Sequence, residues 1–271
     1  MSPFSRGLTA APGGDIIRCM SHRFHVEKLG ESERLVLGAG TARHLDVLGL
    51  GAGSEVVLFD GTGAEAVVRI ERLSRTSAEA CVLRRSAPRT DAGPEVTLAS
   101  AVPKGRRMDI LVRMCAELGV RHIVPLVTGR SVVRPAADTP RSHRLDRWRK
   151  ICTAAAEQSG HTLLTTVEPP ADLTAILPHI GNYDLTVLLS PDAAAPTLAE
   201  VLTRRADAKT VLMLVGPEGG WTPEEVSLAV GRGAEAARLT RDILRLETAC
   251  VAASAVMMAL LGDAGAPGSD A

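Results

Sequence analysis

At 271 residues the chain is long for one domain and comfortable for two, one small and one of ordinary size. With 45% apolar and 23% charged residues it can bury a sizeable core, which excludes a disordered chain. The formal net charge is zero, so any electrostatic footprint for a nucleic acid must be local. Aromatic residues are confined to Phe4, Phe24, Phe59, Trp148, Tyr183 and Trp221, so base stacking would lean on Arg planes or aliphatic walls. The five cysteines, Cys19, Cys81, Cys115, Cys152 and Cys250, are scattered and never form a C-x-x-C pair, which argues against both a disulfide framework and a zinc site. A reducing cytosol fits that usage. The longest apolar run, 249–261, is too short to span a bilayer, and no secretory h-region opens the chain, which is therefore expected free in the cytoplasm.

Residues 1–19 are rich in Gly, Pro, Ser and Ala without periodicity, and Met20 sits immediately before the first structured-looking segment. This stretch is expected to be a disordered extension or an artefact of start-site choice. From Ser21 to about Arg85, strand-like runs alternate with turn signals at 22–26, 34–37, 56–59, 66–70 and 78–83, with Asp60-Gly61 as a hairpin turn. The pattern predicts a small β-barrel over 20–90. Residues 86–93, with Pro88, Asp91 and Gly93, read as a linker. Beyond Pro94, apolar strands at 96–101, 122–126, 185–189 and 211–215 alternate with helices near 105–118, 142–159, 196–205, 223–231 and 247–261. That alternation predicts an α/β domain with a parallel sheet over 94–262, followed by a disordered Gly, Ala, Pro and Asp tail at 263–271.

The sharpest local feature is Leu214-Val215-Gly216-Pro217-Glu218-Gly219-Gly220-Trp221-Thr222-Pro223-Glu224-Glu225, an apolar strand running into a glycine-rich turn. Thr222 is placed to cap a helix, with Pro223 at its first position and Glu225 closing a capping box. An ordinary strand-turn-helix connection also carries glycines. Gly216, Gly219 and Gly220 around a Pro-Glu pair exceed what a connection needs, and the carboxyl end of a strand is where open α/β sheets bind ligands. Gly49-Leu50-Gly51-Ala52-Gly53 precedes a strand rather than a helix and reads as a turn, and the absence of Gly-Lys-Ser/Thr excludes a P-loop. A second feature, 239–249, leads into a helix that is apolar or small on every face, with charges at Arg245 and Glu247 just before it. These charges form either a structural ion pair or part of a site. His22 and His25 lie in a strand pattern that points them to opposite faces, so no metal pair is expected, and Cys250 reads as a small core residue.

Several segments in register together resemble the RsmE ribosomal RNA uridine-N3 methyltransferases of the SPOUT superfamily. They are 22–26, His44-Leu45, 58–61, Lys104-Gly105-Arg106-Arg107-Met108-Asp109, 117–120, Pro125-Leu126, Arg130-Ser131, Trp148, 155–160, 215–220 and 244–249. The likeness runs in order from about residue 20 to 261. It implies a PUA-like N-terminal barrel for RNA and a C-terminal domain whose last segment threads a loop to make a trefoil knot. It also implies a homodimer, and S-adenosylmethionine as cofactor with no metal. The substrate would be 16S rRNA in the assembled small ribosomal subunit.

By the same resemblance the cofactor is held by Leu189, Ser190, Val215, Gly216, Pro217, Glu218, Gly219, Gly220, Leu239, Leu244, Arg245, Thr248 and Ala249. Arg23, Lys104, Arg106, Arg107, Arg130 and Gln158 are the expected RNA contacts. Lys104, Arg106 and Arg107, at the carboxyl end of a strand, have a better claim to phosphate than the Arg141 to Lys150 run, which also reads as a solvated helix face.

Methyl transfer from a sulfonium is an in-line displacement, so alignment and exclusion of water are the main tasks. Uridine N3 must lose its proton, and Arg245 is expected to stabilise the resulting charge on a uracil carbonyl oxygen. Glu218 or Glu247 would be the base, or either could be a structural acceptor. Thr240, Asp242, Leu246 and His161 depart from the family pattern of Gly, Arg, Thr and Arg. The alternatives are another SPOUT enzyme, acting on a ribose hydroxyl or a tRNA base, and a non-catalytic RNA-binding assembly factor.

Overall fold

A computed structural model describes residues 22–86, 93–132 and 140–262. The expected extension at 1–19, most of the linker and the tail at 263–271 lie outside the described residues. The chain divides into two compact units, Met1–Ala87 and Pro88–Ala271.

The first unit holds β1 (Arg23–His25), β2 (Arg34–Leu37), α1 (Ala39–Val47), β3 (Glu55–Phe59), β4 (Glu65–Leu73) and β5 (Ala78–Ser86). They form a sheet in the order β1-β3-β4-β5-β2, antiparallel except where β1 lies parallel to β3. Alternation along β4 sends Ala66, Val68 and Ile70 inward to join Phe24, Leu37, Val56 and Leu58 in one core. Asp60 does sit in a hairpin. Its carboxylate accepts from the Thr62 N–H (3.0 Å) and hydroxyl (2.6 Å), and Gly61 and Gly63 take positive φ. Helix α1 is absent from the sequence reading. It follows Gly38, contains Gly40 and buries only Ala42 and Leu45, too sparse a stripe to show a helical period.

The second unit contains β6 (Glu95–Ala101), α2 (Arg107–Glu117), β7 (His122–Val127), α3 (Pro140–Ser159), β8 (Thr166–Val167), β9 (Ala171–Asp172), α4 (Leu173–Ile176), β10 (Leu185–Leu189), α5 (Leu198–Arg204), β11 (Thr210–Val215), α6 (Pro223–Val230), β12 (Glu235–Ala237) and α7 (Leu246–Gly262). The sheet runs β12-β10-β11-β6-β7-β8, with β9 also on β7, and every recorded pairing is parallel. The α/β class with a parallel sheet is thus as expected. The apolar runs of β10 and β11 are buried on both faces, which is what a parallel sheet covered by helices requires.

Alternation sorts the helices. Val211, Met213 and Val215 face a core built with α2, α3, α5 and α7, while Leu212 and Leu214 face one built with α4, the following 3-10 turn (Leu177–Asn182) and α6. Helix α7 packs on α2 and α5 over β6 and β11. Its buried positions Cys250, Ala253, Ser254 and Met257 are small or flexible, so the helix settles close to the sheet. Ser100 Oγ lies 3.4 Å from Cys250 Sγ, and Cys115 Sγ lies 3.9 Å from Ser254 Oγ.

Burial pushes the Cys115 thiol up to about 12, against a hydrogen bond from Ser254, and burial likewise pushes Cys152 to about 12. Cys250, fully enclosed, is raised well above its ordinary value by the same desolvation. The core reading of Cys250 therefore stands. At pH 8, Ellman's reagent is expected to leave these three thiols unmodified in the native protein and to titrate them once denaturant unfolds it; rapid labelling of any of them in the folded chain would refute this. Leu98→Ala, at a fully enclosed position between β6 and its covering helices, is expected to lower stability by about 3 kcal/mol in urea denaturation.

Candidate functional site

Adjacent strands β10 and β11 send their connections to opposite faces of the sheet. The chain leaving β10 enters α5 on one face, and the chain leaving β11 enters α6 on the other. Such divergence opens a crevice at the carboxyl ends of the strands. There lies a cleft of about 510 Å³ lined by residues 189–191, 215–221, 239–240, 242–246 and Ala249. That is the size range of small-molecule sites. Its third wall is the chain after β12, where Arg238 exchanges backbone hydrogen bonds with Pro196 and Leu198 before the chain reaches α7.

The loop after β11 is tightly specified. The Trp221 Nε1–H donates to the Leu189 carbonyl (2.9 Å), pinning this loop to the end of β10. A Cβ on Gly216 would stand 2.9 Å from the Trp221 indole, so only glycine admits the ring. Gly220 adopts φ +71°, closing a turn through its N–H to the Pro217 carbonyl (2.8 Å). The capping box is present as read: Thr222 Oγ1 accepts from the Glu225 N–H (3.2 Å) and Glu225 Oε2 from the Thr222 N–H (2.8 Å). The other Glu225 oxygen accepts from the Gly129 N–H (2.7 Å), and Arg130 donates to the Gly219 carbonyl (2.9 Å). The segment after β7 thus braces the glycine loop.

Of the residues expected at the cofactor, Leu189, Ser190, Val215, Gly216, Pro217, Glu218, Gly219, Gly220, Leu239, Leu244, Arg245 and Ala249 all line this cleft; Thr248 does not. Pro191, Trp221, Thr240, Asp242, Ile243 and Leu246 also line it and were not among the residues expected at the cofactor. Trp221 closes the Gly-rich motif, and its aromatic character was the available signal. Ile243 is 86% exposed at the rim. Arg245 lines the cleft, and its exposed side chain has no ion pair or hydrogen bond among the described residues. Glu218 lines the cleft as well, whereas Glu247 is set back from it, its side chain 14% exposed.

The expected RNA contacts divide. Lys104, Arg106 and Gln158 are exposed. Arg107 reaches Glu218 (3.3 Å) and Glu247 (3.7 Å). Arg23 is buried in the first unit, its side chain 3% exposed, paired with Glu65 at 3.0 Å and lying over the Phe59 ring. That placement makes it a structural cation rather than a surface contact. No group of three or more His, Cys, Asp or Glu side chains suited to a metal ion occurs among the described residues, nor any helix long and apolar enough to cross a membrane.

A family model described as an RNA methyltransferase domain matches residues 91–258. A ribosomal RNA small subunit methyltransferase E from Synechocystis is 32% identical over 79% of this chain and 69% of its own length. One from Mycobacterium tuberculosis is 32% identical over 74% of this chain and 76% of its own. Among solved structures, a ribosomal RNA small subunit methyltransferase E from Neisseria gonorrhoeae bound to S-adenosylmethionine superposes with TM-score 0.79 at 32% identity, covering 89% of this chain and 98% of that one. A Legionella pneumophila methyltransferase with the same bound cofactor gives 0.77 at 28% identity, covering 88% and 97%. The chain belongs to the RNA methyltransferase family, among the ribosomal RNA small subunit methyltransferase E proteins.

Gly216→Ala is expected to lower stability by about 2 kcal/mol, because the added methyl must displace the Trp221 indole. Gly220→Ala, which meets open space, is expected to cost only about 1 kcal/mol through its left-handed backbone. Denaturant midpoints of the two variants check this order, and the reverse order would refute it.

Proposed function

We propose that this enzyme transfers a methyl group from S-adenosylmethionine to N3 of a specific uridine in 16S rRNA, within the small ribosomal subunit and in the cytoplasm. The observation that carries the reading is the cleft at the switch between β10 and β11, lined by twelve of the thirteen residues expected at the cofactor, in a chain of this family. The donor set suits the group. Leu189, Leu239, Leu244, Leu246 and Ala249 offer apolar walls to a purine and its sugar, the loop 216–220 offers backbone polar groups, and the Glu218 carboxylate complements a cation.

When bound, S-adenosylmethionine supplies an activated methyl on a cationic sulfur. The protein's share is alignment and electrostatics. Arg245, which lines the cleft and has no side-chain partner among the described residues, hydrogen-bonds a uracil carbonyl oxygen and stabilises the anion formed as N3 loses its proton. Glu218, on the cleft wall, is better placed than Glu247 to take that proton. Lys104 and Arg106, just past the carboxyl end of β6, meet phosphates and fix the RNA strand without reading its sequence.

The first unit, over 20–90, serves as a PUA-like barrel for RNA, and 94–262 is a SPOUT domain. The Arg238 hydrogen bonds to the chain before α5, followed by entry into α7 between α2 and α5, support a trefoil knot. Homodimer formation is supported by exposed Ile110 and Met114 on α2 and Leu260 on α7, helices that pack together.

Incubation of the full chain with labelled S-adenosylmethionine and unmodified small ribosomal subunits is expected to yield 3-methyluridine in the 16S RNA, read by nucleoside mass spectrometry. Arg245→Ala is expected to reduce kcat by about 10²–10³-fold. Label in another nucleoside would overturn the N3 assignment, and a chain that binds no cofactor would overturn the enzymatic reading.

A further inference from the structure

One cation in the second unit joins three segments that the sequence keeps far apart. Arg107 opens α2. Its Nε–H donates to the Lys104 carbonyl at 3.2 Å, which fixes the plane of the guanidinium. Its Nη1 then stands 3.3 Å from Glu218 Oε1, on the loop after β11, and 3.7 Å from Glu247 Oε2, in the first turn of α7. The three side chains are unequally exposed, 33% for Arg107, 42% for Glu218 and 14% for Glu247.

Glu247 Oε2 is buried and has no hydrogen-bond partner among the described residues. A buried carboxylate oxygen without a hydrogen bond is costly unless a charge stands beside it, and Arg107 is the cation the structure puts there. A free phosphate-binding arginine would instead be expected to point into solvent with its donors open. Glu218 lines the cleft, and Glu247 sits one residue beyond the Arg245-Leu246 wall. The bridge therefore spans two of the cleft's three walls.

We infer that Arg107 is a positioning residue of the active site, anchored on buried Glu247 and holding Glu218 and its loop in the shape that admits cofactor. The inference rests on the proposed methyl-transfer reading for its activity consequences, but its structural claim stands apart from it. Arg107 acts through Glu218 and does not touch the reacting atoms.

The test compares the full-length wild type with Arg107→Gln, Arg107→Lys, Glu247→Gln and the double variant Arg107→Gln/Glu247→Gln. Backbone hydrogen exchange without cofactor is expected to speed by about tenfold or more at 216–221 in Arg107→Gln while β6 and β7 stay protected. Calorimetry is expected to show about tenfold weaker S-adenosylmethionine binding, with Arg107→Lys partly restored. Affinity for 16S RNA and its salt dependence are expected to stay unchanged, and the double variant to lose no more than Arg107→Gln alone. Unchanged exchange at 216–221 would overturn the inference whether or not the wild type binds cofactor. So would intact cofactor binding with weakened RNA binding and a salt slope lower by about one, the signature of a phosphate contact. A wild type that binds no S-adenosylmethionine would defeat the methyl-transfer reading, and the exchange result would still judge Arg107.

Discussion

The site depends on one topological constraint: two neighbouring parallel strands whose connections leave for opposite faces. The connection from β10 to β11 puts α5 on one side of the sheet, and the return from β11 across β10 to β12 puts α6 on the other. The backbones part where β10 and β11 end, and the two connections line the gap between them. The chain from β12 to α7 has to cross that same gap to reach its place over β6 and β11. Cleft, lining and third wall follow from strand order before any side chain is considered.

Side chains then convert a gap into a site of fixed shape. The Trp221 indole ties the outgoing loop of β11 back to the last residue of β10, and Gly216 exists in the form it does because that ring occupies the space a methyl would need. Glu225 serves two ends at once, capping α6 and receiving the Gly129 N–H, so the glycine loop is braced from β7 as well. A loop held at both ends and in its middle is preorganised, and preorganisation is what lets backbone polar groups contribute to binding without first being ordered.

How much of this was legible in the sequence depends on the range of each interaction. Strands β6, β7, β10 and β11 were readable because a strand covered on both faces must be an apolar run, and the Thr222 box was readable because its partners are three residues apart. The Thr197 box before α5 carries the same spacing with Glu200 and could have been used. Strands β8, β9 and β12 are two or three residues long and leave no pattern. The contact of Trp221 with Leu189 and that of Arg23 with Glu65 join positions 32 and 42 residues apart, so no local signal records them.

Arg107 shows why charge alone misleads. In the sequence it belongs to a basic triplet after a strand, and a phosphate role is the natural expectation for all of its members. Folding separates them. Lys104 and Arg106 remain exposed, while Arg107, one residue further and at the start of α2, turns toward two carboxylates from distant parts of the chain. Its Nη1 stands within reach of both Glu218 and Glu247, so one cation balances two carboxylates that the sequence keeps 29 residues apart. Of two candidate bases that the sequence left equivalent, the same arrangement keeps one at the cleft and sets the other behind it as the anchor.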